Sequence, residues 1–174
     1  MPQGPIPEPV DGDSALLTAA ISAGRGDHRA ARRAWNASFA AFGLRPVVDE
    51  GSCAPLGLES FLAAQSALTF DGPLVSVIVA ARDAAATVAP AIKSLLRQSW
   101  RNLEVVLVDD CSADDTIACA REAAGCDPRL TIARLAAPSG PYAARNIGMR
   151  MARGAFISFS DSDDVAHVDR IALQ

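Results

Sequence analysis

The stretch Ile157-Ser158-Phe159-Ser160-Asp161-Ser162-Asp163-Asp164 joins a short strand pattern to an acidic end. Ile157 and Phe159 alternate with serines, as residues on one face of a β-strand do. The three carboxylates behind them repel one another, and a divalent cation among their oxygens relieves that repulsion. The stretch therefore predicts a site for Mg²⁺ or Mn²⁺ at the carboxyl end of a strand. The alternative is a solvated acidic turn in which Asp163 or Asp164 caps the next helix.

Strand and helix patterns alternate in the residues before this stretch. The predicted strands cover residues 75–80, 103–108, 130–135 and 155–160, and the predicted helices between them cover residues 88–96, 114–124 and 142–151. This alternation predicts an α/β fold with a parallel, Rossmann-like sheet in three α/β/α layers and right-handed crossovers.

Carboxylates follow three of these predicted strands. Asp83 comes after the first, Asp109-Asp110 after the second and residues 161–164 after the fourth. Ligands of an open parallel sheet bind beyond the carboxyl ends of its strands, so we expect these acids to share one edge. A metal at that edge would bridge to an anion with hard oxygens, most simply a diphosphate.

The segment Gly140-Pro141-Tyr142 opens a predicted helix whose N-terminal N–H groups favour anions. Arg145 lies in the first turn and can reach a phosphate; the alternative is an ordinary surface arginine. The chain has neither the Gly-x-Gly-x-x-Gly of a dinucleotide site after its first strand nor the Gly-Lys-Ser/Thr of a phosphate-binding P-loop.

The residues before Asp71-Gly72-Pro73 follow a different pattern. We predict a flexible tail at residues 1–13, a helical hairpin with a linker at 14–72 and the α/β domain at 73–174. In the hairpin, Asp27 is placed to cap the second helix. The apolar positions that define the predicted helical faces are Leu16, Leu17, Ala20 and Ile21 in the first helix and Ala31, Trp35, Phe39 and Phe42 in the second.

Composition excludes several classes of protein. The net charge is −4 and the pI about 5.1, which argues against a nucleic-acid partner. The four cysteines form no Cys-x-x-Cys pair, as is usual in a reducing cytosol. No apolar run approaches the roughly 20 residues of a membrane span. We therefore expect a cytoplasmic protein without a transmembrane segment, with the inner face of the membrane as a second location.

Residues 74–174 resemble the N-terminal, nucleotide-sugar-binding half of a family 2 glycosyltransferase of the inverting GT-A type. The similarity lies in five segments that keep the family's order and spacing. They are Val75-Ser76-Val77-Ile78-Val79, Ser94-Leu95-Leu96-Arg97-Gln98-Ser99, Glu104-Val105-Val106-Leu107-Val108-Asp109-Asp110-Cys111-Ser112-Ala113-Asp114-Asp115-Thr116, Ala143-Ala144-Arg145-Asn146-Ile147-Gly148 and residues 157–164.

The resemblance implies a transferase that moves a sugar from a nucleoside diphosphate, usually UDP, to an acceptor hydroxyl. It implies that Asp110 hydrogen-bonds the base and that the Asp-x-Asp pair approaches the ribose and the Mn²⁺ or Mg²⁺, with Asp163 as the direct ligand and Asp161 beside it. The residues after the first strand would line the nucleoside pocket, here Ala80, Arg82 and Asp83. The family's habits suggest bacterial surface-polysaccharide assembly, with a saccharide, lipid-linked or protein acceptor.

The chain also departs from the family's pattern. Arg82 stands where an aromatic ring usually covers the base, and its planar guanidinium can stack there instead. The family's catalytic base lies further along than Gln174, so the resemblance implies that this chain holds only part of the fold and no catalytic base.

Two other hypotheses have different consequences. A phospho-receiver domain would need a lysine late in the fold, and the only lysine, Lys93, precedes the Asp-Asp pair. A non-catalytic interaction or nucleotide-binding protein would use the helical hairpin to dock and carry a degenerate transferase domain behind it.

Overall fold

The computed structural model describes residues 11–62 and 69–174. The chain forms two compact units, with the division between residues 65 and 66. The second unit begins ahead of the predicted boundary at residue 73, since Phe70 already forms a β-bridge with Trp100. In the described part of the chain, no helix is both long and apolar enough to span a bilayer.

The second unit is built on a four-stranded parallel sheet, as predicted. Its strands are β1 (Val75–Ala81), β2 (Leu103–Asp109), β3 (Leu130–Arg134) and β4 (Phe156–Asp161), in the order β3-β2-β1-β4. Every residue of β1 except Ala80 is buried, and β2 is buried throughout, as continuous apolar runs in a parallel sheet require.

Helices cover both faces of this sheet, which confirms the α/β class. They are α3 (Val88–Leu96), α4 (Thr116–Ala124), α5 (Pro141–Met151) and α6 (Arg170–Leu173), numbered after the two helices of the first unit. The core on one face contains residues of α3, α4 and α6, whereas Ala144, Ile147 and Met151 of α5 pack on the other face.

Helix α5 packs closely on β1 at Gly148, which has no side chain. A Cβ at Gly148 would lie 2.5 Å from Cγ2 of Ile78. The absence of a side chain lets this helix approach the strand, and its N-terminal turn then lies beside the carboxyl ends of β1 and β4.

Two buried polar side chains, Ser94 of α3 and Gln98 just after this helix, bind the chain around the start of α6. Ser94 accepts a hydrogen bond from the backbone N–H of Ala166 at 3.0 Å. Gln98 donates to the carbonyl of His167 at 2.7 Å and accepts from the N–H of Ile171 at 3.0 Å. These bonds hold the chain that follows the acidic turn.

The amino end of the sheet is held by a buried carboxylate. Glu104 accepts from the Ser76 hydroxyl at 2.6 Å, and from the backbone N–H of Arg153 at 2.7 Å. The Arg153 guanidinium completes the contact at 2.6 Å. Burial raises the pKa of Glu104, but the hydrogen bonds from Ser76 and Arg153 outweigh it and hold the pKa below its ordinary value of 4.5.

The first unit contains α1 (Gly12–Gly24), α2 (His28–Ala41) and a 3-10 helix (Leu58–Leu62). Asp11 caps α1, which therefore begins within the predicted tail, and residues 1–10 lie outside the described part. Asp27 caps α2 as expected, through the N–H of Ala30 at 2.9 Å. The 3-10 helix lies in the predicted linker, and residues 63–68 lie outside the described part.

The predicted apolar face of α1 is not its buried face. Leu17 is 63% exposed and Ile21 38%, while the small residues Gly12, Ala15, Ala19 and Ser22 are buried. Small side chains let two helices approach closely, so packing selected the face with less apolar area. In α2 the predicted face holds only in part, because Ala31 is buried but Phe42 is 63% exposed.

We expect Gly154→Ala to destabilise the second unit by about 1–3 kcal/mol, the usual cost of overpacking. The new Cβ would lie 2.6 Å from the backbone N of Ser76 and 2.8 Å from the carbonyl oxygen of Leu74, and backbone atoms cannot move aside cheaply. Urea unfolding measures the effect. Gly24→Ala is the control, because its Cβ would meet nothing within 4 Å; equal stability of the two variants would contradict the packing described.

We expect Glu104→Gln to lower the unfolding free energy at neutral pH by about 1–3 kcal/mol, since charged hydrogen bonds are lost. Because the folded pKa is depressed, this contribution is present above 4.5 and is lost as the pH falls through the folded pKa. The difference between the two proteins should therefore shrink in acid. A difference that stays constant from neutral pH into acid would show that the ionised carboxylate is not what stabilises this end.

Candidate functional site

The strand order of the sheet reverses between β1 and β4. From β1 the chain moves outward to β2 and β3, and then returns to form β4 on the other side of β1. Such a reversal is where open α/β sheets bind ligands. In the strand register, Ala80 is paired with Asp161 and Ala81 with Asp109. These residues therefore lie at the same height along the three neighbouring strands.

Asp109 is buried, and its contacts stabilise the carboxyl edge of the sheet. Its carboxylate accepts from the hydroxyl and the backbone N–H of Ser112, and the Arg134 Nε lies 3.5 Å from its Oδ2. Arg134 also donates to the Ser112 carbonyl at 2.9 Å. These contacts fix the loop that follows β2.

Asp110 is only 2% exposed, and both of its oxygens are in use. Oδ1 accepts from the backbone N–H of Ser139 at 2.6 Å, and Oδ2 accepts from that of Gly140 at 2.9 Å. The residue thus anchors the loop from which α5 begins. Each carboxylate oxygen keeps a further lone pair, so the group can hold this loop and accept from a base at the same time.

The loops after β1 and β2 are joined by Asp83. Its backbone N–H donates to the Ser112 hydroxyl at 3.0 Å, and its Oδ1 accepts from the N–H of Ala113 at 2.7 Å. Asp83 adopts a left-handed backbone with φ of 48°, which these bonds hold in place. Arg82 is left with a half-exposed side chain, 3.8 Å from the Asp83 carboxylate.

Asp114 strengthens the same junction, a role that the sequence patterns did not predict. It accepts from the Thr116 hydroxyl and from the N–H of Ala85 at 2.9 Å, and Thr116 in turn accepts from the N–H of Ala84 at 2.8 Å. The Thr116 hydroxyl, followed by the N–H of Ala85, holds the pKa of Asp114 below its ordinary value. The signal available in the sequence was an Asp two residues before a Thr at a helix start.

Arg145 of α5 and Asp161 at the end of β4 form an ion pair. Nη2 of Arg145 lies 2.5 Å from Oδ1 of Asp161. The Nε of Arg145 is buried and has no hydrogen-bond partner among the described residues. The guanidinium carbon also lies 6.0 Å from the centre of the exposed Tyr142 ring.

Asp163 and Asp164 are exposed in the turn after β4. In the described residues neither side chain has a hydrogen bond or an ion pair, and no group of three or more acidic, histidine or cysteine residues is arranged to hold a metal. The donor set still suits Mg²⁺ or Mn²⁺. Both cations favour oxygen, and Mg²⁺ is commonly held by one or two carboxylates with water and substrate phosphates. Asp161 and Asp163 offer two such carboxylates.

The chain is similar to proteins of polysaccharide synthesis. It is 46% identical to the succinoglycan biosynthesis protein ExoO of Rhizobium meliloti over 57% of this chain and 28% of that protein. It is 34% identical to the Escherichia coli UDP-Glc:alpha-D-GlcNAc-diphosphoundecaprenol beta-1,3-glucosyltransferase WfaP over 58% of this chain and 39% of the enzyme. The chain therefore spans well under half the length of these relatives.

Two solved structures share the fold. The Staphylococcus aureus TarS 1–349 complex with UDP superposes with a TM-score of 0.53 at 32% identity, covering 56% of this chain and 30% of TarS. The mannosyltransferase PcManGT from Pyrobaculum calidifontis, in complex with GDP-Man and Mn²⁺, gives 0.53 at 27% identity, covering 67% of this chain and 35% of that enzyme. Residues 76–174 match the family described as Glycosyl transferase family 2, and the chain belongs to that family.

Proposed function

We propose that residues 73–174 bind the donor of a glycosyltransferase that moves a sugar from a nucleoside diphosphate to an acceptor hydroxyl. The observation that carries the proposal is the ion pair between Arg145 of α5 and exposed Asp161 at the end of β4, two residues before exposed Asp163. Carboxylates for a cation and an arginine for an anion, side by side, suit a metal-bound diphosphate.

Asp163 is the proposed direct ligand of Mn²⁺ or Mg²⁺, with Asp161 as its neighbour. Asp163 is exposed and has no partner in the described chain, so its oxygens are accessible. Once bound, the cation would stabilise the negative charge that develops on the departing diphosphate. The chain contributes the carboxylates and the turn after β4 that carries Asp163.

The nucleoside would lie beyond the ends of β1 and β2. Ala80, whose register partner in β4 is Asp161, is proposed to line the nucleoside pocket with its small side chain. Half-exposed Arg82 is proposed to stack on the base, and Asp83 to line the pocket while it joins the two loops. Asp110 is proposed to accept from the base, and it also holds the loop at the start of α5.

The identity of the base is proposed to be uracil. Support comes from TarS, whose structures contain UDP and UDP-GlcNAc, and from WfaP, whose name gives UDP-Glc as donor. The PcManGT complex holds GDP-Man, so the fold also accommodates guanine. Arg82 is a planar cation that can stack on either base, and a direct comparison of UDP with GDP separates them.

The acceptor is proposed to be a substrate of surface-polysaccharide assembly. The protein is proposed to act at the inner face of the membrane. The support is the printed function of the relatives, succinoglycan biosynthesis in one and a diphosphoundecaprenol-linked sugar in another. No residue of this chain is assigned as the catalytic base.

We expect Asp163→Asn to lower the affinity for UDP in the presence of Mn²⁺ at least about tenfold, since even outer-sphere partners of a metal contribute that much. Affinity without metal should change little. Isothermal titration with and without Mn²⁺ measures both. Glu122→Gln, which removes an exposed carboxylate from α4, is the matched control. Equal Mn²⁺-dependent affinity in the Asp163 variant and the control would remove Asp163 from the metal site.

We expect Asp110→Asn to lower the free energy of unfolding by about 1–3 kcal/mol and to weaken UDP binding as well. The new amide has one acceptor oxygen, so one of the N–H groups of Ser139 and Gly140 would lose its partner. Urea unfolding and titration with UDP measure the two effects. Asp115→Asn is the control, because Asp115 makes no side-chain capping bond at the start of α4. Wild-type stability in Asp110→Asn would contradict the anchoring role.

A further inference from the structure

We propose that Arg145 is the counter-ion of Asp161 in the metal-free protein and that a divalent cation must displace it. The inference rests on the proposed donor site and concerns its regulation. Arg145 would thereby set the affinity for the metal and make the diphosphate site depend on the metal.

The ion pair between Arg145 and Asp161 uses a single nitrogen of the guanidinium and is partly exposed to solvent. Nη2 of Arg145 lies 2.5 Å from Oδ1 of Asp161, and the Arg145 side chain is 29% exposed while that of Asp161 is 54% exposed. Asp161 is the more exposed partner, unlike the buried Glu104 that binds Arg153, so the bond at Asp161 is weak and its partners can exchange.

Two other arginines in the same unit each bind a carboxylate through two nitrogen atoms. Arg153 binds Glu104 through both Nε and Nη2, and Arg129 binds Asp127 through the same two atoms. Arg145 uses only Nη2, while its buried Nε has no partner among the described residues. An unpartnered buried donor is unfavourable, so the arrangement leaves a hydrogen bond to be made in another state.

Asp161 has a second oxygen, but a cation held between Asp163 and Asp161 would bring a second positive charge beside the Arg145 guanidinium. When Mn²⁺ or Mg²⁺ binds this carboxylate, the guanidinium is displaced and then lies close to a like charge. An anion between the two relieves that repulsion, and the phosphate oxygens of a nucleoside diphosphate would accept from Nη2 and Nε together. Metal and diphosphate therefore strengthen each other's binding, and the coupling is reciprocal.

The other arginine near the end of β4 is already committed. Arg170 donates to the carbonyl of Phe159 at 2.6 Å and to the Ser160 hydroxyl at 3.3 Å. Arg170 thus binds a carbonyl and a hydroxyl of β4 rather than a carboxylate. The negative charge of Asp161 is therefore balanced by Arg145.

The test is Mn²⁺ binding to the full chain without nucleotide, followed by electron paramagnetic resonance. We expect Arg145→Gln to bind Mn²⁺ about two- to five-fold more tightly than wild type, the range set by an exposed ion pair. Arg150→Gln is the matched control, because it removes the same charge from an exposed position in the last turn of α5. It should bind Mn²⁺ about as wild type does. Affinity in Arg145→Gln equal to or below that of the control would overturn the proposal.

A second variant keeps the test decisive if Arg145→Gln does not fold. Arg145→Lys retains the charge, so its Mn²⁺ affinity should stay within about twofold of wild type. In parallel, the Nε–H signal of Arg145 in ¹⁵N-labelled wild type should shift when Mg²⁺ alone is added. A signal unmoved by saturating Mg²⁺ would show that the cation does not displace the guanidinium.

Titration with UDP separates this proposal from the proposed function. If wild type binds UDP no better with Mn²⁺ than without, the donor site fails, and the nucleotide-free Mn²⁺ comparison still decides the role of Arg145. If wild type shows metal-dependent UDP binding, Arg145→Gln should bind Mn²⁺ more tightly and UDP more weakly. That opposite change is not expected of a merely structural residue.

Discussion

Negative charge gathers at one edge of a parallel sheet, and each carboxylate there is compensated in a different way. Asp109 and Asp110 are buried and satisfied by a hydroxyl, an arginine and backbone N–H groups. Asp161 is half-exposed and holds one nitrogen of Arg145. Asp163 is exposed and, in the described chain, holds nothing. The buried acids stabilise the edge, and the exposed acids are the ones proposed to bind a ligand.

The amino end of the sheet contains stabilising contacts, and the carboxyl end contains the proposed binding site. At the amino end, Glu104 joins β1, β2 and the chain that enters β4 through bonds from Ser76 and Arg153. At the carboxyl end, Asp83 and Asp114 join the loops that follow β1 and β2. This division is general in open α/β sheets, because the strand order reverses at one point and leaves space there.

The sheet and its helices could be predicted because long apolar runs and helical spacing respond to burial alone. The shared acidic edge followed from parallel strand order. The two hydrogen bonds that Asp110 accepts could not be predicted, since their donors are backbone N–H groups about thirty residues away in the loop before α5. The Arg145–Asp161 pair likewise depends on how closely α5 packs at Gly148. In α1, spacing indicated the face of Leu17 and Ile21, but close packing selected the small residues.

The central claim is that a divalent cation binds at the exposed acids of this edge. Its most direct test is the broadening of backbone amide signals by substoichiometric Mn²⁺ in ¹⁵N-labelled protein. The account predicts that signals of residues 161–164 and of Ala80 broaden first, while that of Gly154 at the opposite end of the sheet stays sharp. Broadening centred on other acidic residues, or none at all in the folded protein, would contradict it.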